Sequence, residues 1–331
     1  MVDLAANRGM AAPEAYADRA NVLQRLRRGD RLFRRLTQAA AFSVFLILGA
    51  IFISLVIGGW PALRTFGIGF VTTETWNPVT EKFGALAPIY GTLVTSLIAM
   101  AVAVPIGIGI AVFLTELCPM SLRRAIGTAI ELLAGIPSII FGIWGLFVFA
   151  PFLQQHVQPG LIAMSKNVPG LANLFAGPPY GIGILTAGLI LAIMVLPFIT
   201  AVSRDVFETV PAVLKEAAYG MGCTTREVVS RVVIPYTRTG VIGGIMLGLG
   251  RALGETMAVT FVIGNAHRIS PSLLAPGTTI SATIANQFAE AVGDLYTSSL
   301  LALGLMLFFI TFSVLALARY MLAHLAKTAG A

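Results

Sequence analysis

Residues 239–263 read TGVIGGIMLGLGRALGETMAVTFVI, and in that run only Arg251 and Glu255 carry charge. At a helical rise of about 1.5 Å per residue, roughly 20 apolar residues cross the hydrocarbon core of a bilayer, so the run reads as a membrane span. Read as one helix, it places Gly244, Gly248, Arg251, Glu255 and Ala258 on a single stripe, with the two charges four residues apart. Small residues on such a stripe let a neighbouring helix approach closely. A charge at bilayer depth costs at least about 2.5–3.5 kcal/mol, so both charges face protein or water rather than lipid. Two uses fit this pattern: a self-neutralising structural pair, or a station for an anion on a pathway.

Similar apolar runs lie on either side, at about 37–59, 89–117, 127–151, 181–202 and 295–320. The expected fold class is therefore all-α, a polytopic membrane protein with six transmembrane helices. Composition agrees: 57% of the 331 residues are hydrophobic and 11% charged, against about 25% charged in a typical soluble domain. The second run is long because Pro105, Gly107 and Gly109 are expected to kink it.

Charge placement sets the expected topology. Lys and Arg gather on the cytoplasmic side of membrane proteins. The first 36 residues carry eight arginines, and with the connections after runs two and four and the tail they make 17 basic residues on one side. The opposite connections hold only Arg64, Lys82, Lys166 and Arg268. Both termini are expected in the cytoplasm, N-in and C-in. The net charge of +7 is then a topology signal that meets anionic membrane lipid, with no nucleic acid as partner. Residues 1–36 read as a basic cytoplasmic arm and 37–331 as the membrane domain. The arm lacks the apolar stretch and cleavage site of a signal peptide.

Some chemistry is missing. There is no GxxxxGK[ST] loop, nucleophile elbow or HExxH helix, so the chain is expected to be no enzyme. Cys118 and Cys223 both fall on the cytoplasmic side, where thiols stay reduced, and the three histidines lack ligand spacing. No metal and no cofactor are expected. Any work against a gradient must draw on a partner or a co-transported ion.

The connection 203–240 is long, polar and rich in helix formers. It carries Glu216, Ala217 and Ala218, then Gly222, then Val232, Ile234 and Pro235. Ala and Glu favour a first helix, Gly222 permits a sharp turn, and the amphipathic stretch 225–234 suggests a second that Pro235 stops before the next span. Two short helices at the membrane base would form a rigid knob that another protein can push; an ordinary interfacial loop is the other reading of the same residues. Glu131, in the third run, is expected to pair near the interface, with Gly135 and Ser138 on its face for packing against the fifth run. Pro137 is expected to break the third run at mid-membrane, exposing backbone groups of the kind that line pathways. Residues 280–292 look amphipathic enough for a short helix lying on the outer surface.

The pattern EAA-x3-G-x9-[IV]-x-[IL]-P at 216–235 resembles the signature of bacterial ABC importer permeases. The runs AGIPS (134–138), FGIWGL (141–146) and GLGRALGETMAV (248–259) are similar to permeases of phosphate-specific importers. WNP (76–78), FGAL (83–86) and IYGTLVTS (89–96) are similar to the C-type subunit of that pair. The likeness runs from about residue 37 to the end.

This resemblance implies a type I ABC importer permease fold in a bacterial inner membrane. It also implies that the 203–240 loop docks on an ATPase subunit and passes its motion to the spans. The implied partners are an A-type phosphate permease in a heterodimer, two ATP-binding subunits on the cytoplasmic side and an external phosphate-binding protein. Large outer connections suit docking of the last.

On this view Arg251 offers a bidentate fork to phosphate oxygens, and Glu255 accepts the proton that phosphate carries and sulfate lacks. Alternatively, Glu255 only holds Arg251 in place. The competing functions are an ABC permease for another oxyanion, sulfate or molybdate, and a self-contained ion-coupled anion carrier. A carrier often shows paired halves, and no repeat links 37–151 with 181–320; nor does it need the 216–235 knob.

Overall fold

The structure, a computed structural model, describes residues 13–166, 168 and 171–328. The first 12 residues of the basic arm lie outside the described residues. Six helices among the described residues are long and apolar enough to cross a membrane: Gly29–Phe66, Leu86–Leu117, Ser138–Ser165, Ile184–Glu208, Thr225–Gly254 and Asp294–Tyr320. They are the first to sixth spans below. The all-α reading holds, with one two-residue hairpin, Trp76–Asn77 against Lys82–Phe83. Residues 1–54 form one unit and 55–331 another. The smaller is helix from Pro13 onward, with Phe42, Phe45 and Ile47 exposed; the larger contains everything that follows.

The fourth span is the axis of the larger unit, and the most buried of the six. Ile190, Val195 and Ile199 are fully inaccessible. Lipid tails are as apolar as leucine, so helices associate through close van der Waals contact, which small residues permit. A Cβ on Gly188 of the fourth span would meet Ile98 of the second, and one on Gly107 would meet Ile199 and Thr200. On the other flank, a Cβ on Gly244 of the fifth span would meet Val202, and one on Gly248 would meet Ile199 and Val195 at 2.9 Å. The expected small-residue stripe is thus the face that the fifth span turns to the fourth. Pro105 and Pro197 both sit inside helices that continue through them.

The third span differs from expectation. Instead of one helix over 127–151, an amphipathic helix Met120–Ala134 ends at Gly135, and the membrane-length helix starts at Ser138. Pro137, with φ −58° and no N–H to lose, suits the position just before a first turn. The helix then runs to Ser165 through π-helical turns at Gly145–Phe149 and Leu153–Val157. Gln154, Gln155 and His156 hide that end of the span from a hydropathy reading.

The outer helix is also corrected. It spans Ile280–Gln287, and Ile280, Ala282 and Thr283 are buried rather than lying on the surface. Thr279 Oγ1 accepts from Ala282 N at 3.2 Å, and the Thr92 hydroxyl of the second span accepts from Ile280 N at 3.0 Å. Those bonds satisfy the first N–H groups of the helix and draw it inward.

Replacing Gly248 with Leu should overpack the contact between the fourth and fifth spans and cost about 1–3 kcal/mol. Gly109→Ala, where a Cβ meets nothing within 4 Å, should be neutral or stabilising by up to about 1 kcal/mol. Thermal unfolding of the two variants in detergent checks the contrast, and equal melting temperatures would remove the packing argument.

Candidate functional site

The 203–240 connection folds as two helical pieces. Ala212–Gly220 comes first, and Gly222 follows in the left-handed region at φ +86°, a conformation glycine adopts without Cβ strain. Thr224 opens the second piece with a capping box: its hydroxyl accepts from Glu227 N, while the Glu227 carboxylate accepts from Thr224 N at 2.9 Å. Ala218 is buried beside Phe207, Val228 and Val233, so its small side chain lets the first piece pack down. Glu216, Ala217, Gly222, Ile234 and Pro235 are exposed, and Val232 is half-buried. Val213, Leu214, Tyr219 and Met221 are exposed apolar side chains on the same knob, a feature that marks protein-binding surface. They fall outside the motif and were not singled out from sequence.

Pro235 does not stop the second piece. Helix continues from Thr225 to Gly254 through a π-helical turn at Val229–Val233. Proline clashes with the carbonyl four residues back and lacks a donor; the wider turn just before it relieves both. The extra residue also keeps the inward face aligned, since the buried positions run Val228, Val233, Thr237, Val241, Gly244, Gly248 and Ala252.

An ion pair unseen in the sequence ties the knob to the second span. Lys215 Nζ lies 2.5 Å from Glu116 Oε1, with the Glu116 side chain 6% exposed. Arg123 donates to the carbonyls of Leu114 and Thr115 on the same turn. The end of the second span is therefore held from two sides.

Arg251 and Glu255 do not form the expected i, i+4 pair. The fifth-span helix ends at Gly254, Glu255 is extended at ψ 130°, and a new helix runs Met257–Val262. The Glu255 carboxylate faces Ala258 N at 3.5 Å, and Thr256 Oγ1 bonds Gly254 O. A carboxylate at a helix start is stabilised by unpaired N–H groups and the helix dipole, so Glu255 is compensated by backbone. Arg251 instead stacks on Phe198 of the fourth span, 4.5 Å from the ring centre. Its Nε is one of three buried side-chain polar atoms without a protein partner among the described residues. The stack contributes roughly 0.5–2 kcal/mol but neutralises no charge.

Pro137 and Ser138 lie at the second break, 135–137. The helix pieces after the two breaks, Ser138–Trp144 and Met257–Val262, pack together at Gly142, where a Cβ would meet Phe261 at 2.8 Å. Broken helices in contact are a common setting for membrane transport sites. Glu131 pairs as expected: it is half-exposed and lies 2.7 Å from Arg204. What is corrected is the neighbour, since its helix packs on the fourth span rather than the fifth. The Met120–Ala134 helix meets the fourth span there because Gly127 leaves room for the guanidinium.

On the face away from the knob, Trp76 stacks on His267 at 5.4 Å and donates to Gln287 Oε1, which Tyr296 also reaches. Burial lowers the His267 pKa to about 4 from 6.5. The unfolded chain therefore takes up this proton first, and acidification from about 6.5 toward 4 weakens this cluster.

A membrane domain with broken helices and a helical knob at its base defines a transport permease, and comparison with known proteins places it. Residues 103–327 match the family described as binding-protein-dependent transport system inner membrane component, and the chain belongs to that family. It is a multi-pass inner-membrane transport component, not an enzyme. It is 68% identical over 321 residues to the phosphate transport system permease protein PstC of Mesorhizobium japonicum, covering 97% of this chain and 98% of that one. The protein of the same name from Pasteurella multocida is 58% identical, covering 91% and 94%. Among solved structures, a bacterial alginate ABC transporter aligns over 92% of this chain and 98% of its own, with TM-score 0.60 at 18% identity. That likeness gives the fold of an ABC importer permease.

Lys215→Ala should leave the Glu116 carboxylate buried without its partner. The expected loss is about 2–3 kcal/mol, below that of a fully buried pair because Lys215 keeps some solvent. Reversing the pair, Glu116→Lys with Lys215→Glu, should restore most of the melting temperature measured in detergent. A double variant no better than the worse single one would mean that the contact does not hold the knob.

Proposed function

We propose that this chain is the membrane-spanning permease subunit of an ATP-driven importer of inorganic phosphate. It forms the translocation pathway with a second, A-type permease subunit. The observation that carries the reading is the Arg251 guanidinium, turned away from Glu255 and unpartnered at Nε, in a chain closely similar to phosphate permeases. A cation freed from its neighbouring carboxylate is available to an anion. Its fork offers paired N–H donors to two phosphate oxygens, whose charge it balances.

Glu255 shares the pathway role. Turned toward the Ala258 N–H at the break, it meets a passing anion as an acceptor, which suits a phosphate that still carries a proton and disfavours sulfate. Pro137 and Ser138 belong to the facing break; Glu131 holds the connected helix through Arg204. The exposed knob residues, with Glu216, Ala217, Gly222, Ile234 and Pro235, form the coupling surface for one of two ATP-binding subunits, and Ala218 and Val232 pack beneath it to hold its shape. An external phosphate-binding protein docks on the outer connections. Both termini and the 203–240 loop lie in the cytoplasm, and residues 1–36 are a basic arm against anionic lipid headgroups.

Arg251→Ala should reduce phosphate uptake on the order of a hundredfold, as expected when a charge-assisted contact of about 3 kcal/mol is removed. Lys at this position should restore part of it, since Lys keeps the charge but not the fork. Uptake of labelled phosphate by cells lacking the native chain measures both. Wild-type rates in the Ala variant would place the pathway elsewhere.

The topology has its own test. A membrane-impermeant thiol reagent should label a cysteine at Thr73 or Pro271 in intact cells, and should reach one at Arg226 only after the cells are opened. Labelling of position 226 from outside would reverse the assigned orientation.

A further inference from the structure

Arg251 does not face its cavity alone. A cavity of about 520 Å³ lies between the fourth, fifth and sixth spans, bounded by Phe198, Met246, Leu247, Arg251, Leu315 and Arg319. Among the described residues its only charged lining groups are the two guanidiniums, and no carboxylate borders it. Among the described residues neither arginine takes part in an ion pair. Gly243 and Gly250 add no side chain to its wall, leaving space where other residues would fill it. Two like charges facing one apolar space repel, and the low-polarity wall strengthens whatever interaction they make. A small anion carrying one to two charges turns that repulsion into attraction.

We propose that this cavity is an oxyanion station in which Arg319 of the sixth span is the second cation, taking phosphate from the deeper Arg251. The proposal rests on the phosphate reading and adds to it a residue, a place and a direction. Arg319 is exposed and near the end of the sixth span that the topology assigns to the cytoplasm, so the anion passes from a buried guanidinium to a wetter one. Two forks match the oxygens of a single phosphate better than one. The same phosphate chemistry could arrive on a lipid headgroup: a second groove of about 550 Å³, lined by Leu307, Phe308 and Phe312, shares Leu315 and Arg319 with the cavity.

The test uses the assembled transporter in phosphatidylcholine vesicles, with Cys118 and Cys223 replaced by Ser and Leu247→Cys as reporter. Leu247 lines the cavity and is 58% exposed. Millimolar inorganic phosphate should slow thiol modification several-fold, and both Arg251→Gln and Arg319→Gln should abolish that protection. In the native-cysteine background Arg319→Gln should lower phosphate uptake about tenfold, as expected for a lost charge-assisted hydrogen bond, and Arg319→Lys should recover part of it. Full protection and full uptake in Arg319→Gln would overturn the proposal. So would protection that depends on added phosphatidylglycerol and not on inorganic phosphate, which would assign the cavity to lipid. If the wild-type assembly takes up no phosphate at all, the functional reading fails. If it takes up phosphate while position 247 is never protected, only the station fails.

Discussion

Close approach of the second and fifth spans to the fourth is the constraint on which the rest of the larger unit depends. In lipid no hydrophobic force draws helices together, so the contact must come from surfaces that fit. Gly107, Gly188, Gly244 and Gly248 provide that fit by letting Ile98, Val195, Ile199 and Val202 sit against backbone. Phe198 is the residue before Ile199, and Arg251 lies one turn beyond Gly248, so the ring and the guanidinium meet because the glycines set the spacing. The Arg251 guanidinium is thus positioned by packing rather than by a carboxylate.

The break at 254–256 then determines what that cation can do. Had the helix continued, Glu255 would have lain one turn below Arg251, and the two charges would have cancelled. Ending the helix at Gly254 turns the carboxylate toward Ala258 N. The Ala258 N–H at the new helix start faces the carboxylate at 3.5 Å, and Arg251 is left to its aromatic stack. The same device occurs at Pro137, and the two helix pieces that follow are packed together at Gly142. Interrupted helices need partners for their free backbone groups, and the helix pieces that follow the two breaks pack against each other.

Much of this was legible in the sequence, and the failures have physical causes. Apolar run length revealed six spans because the bilayer imposes a minimum, and Gly222 announced its turn because few residues tolerate positive φ. The small-residue stripe of the fifth span was read correctly up to Gly248. Beyond it, helical periodicity was extended through Gly254–Thr256, where capping competes with helix and wins. Pro235 was read as a stop because π-helical turns leave no simple mark in sequence. The third span was placed too early because its far end carries Gln154, Gln155 and His156, whose polarity hides a membrane-length helix. Lys215 and Glu116 lie 99 residues apart, and no local pattern records a contact at that distance.

The continuity of the fifth span across Pro235 has a mechanical consequence. Val228 in the knob and Arg251 in the cavity are 23 residues apart on one helix, about 35 Å at the helical rise. Beyond the π-helical turn, that helix lies along the fourth span, with Gly240 at Val206, Gly244 at Val202 and Gly248 at Ile199 and Val195. The knob is thus connected in two directions: to the end of the second span through Lys215 and Glu116, and to Arg251 along the helix itself. Close-packed interfaces move between discrete arrangements rather than sliding continuously. Shifting the fifth span means lifting Gly244 and Gly248 off Val202, Val195 and Ile199 and reseating them, and the guanidinium moves on Phe198 in the same step. The residues that make the helices fit are therefore also those that would link a movement of the knob to the surroundings of Arg251.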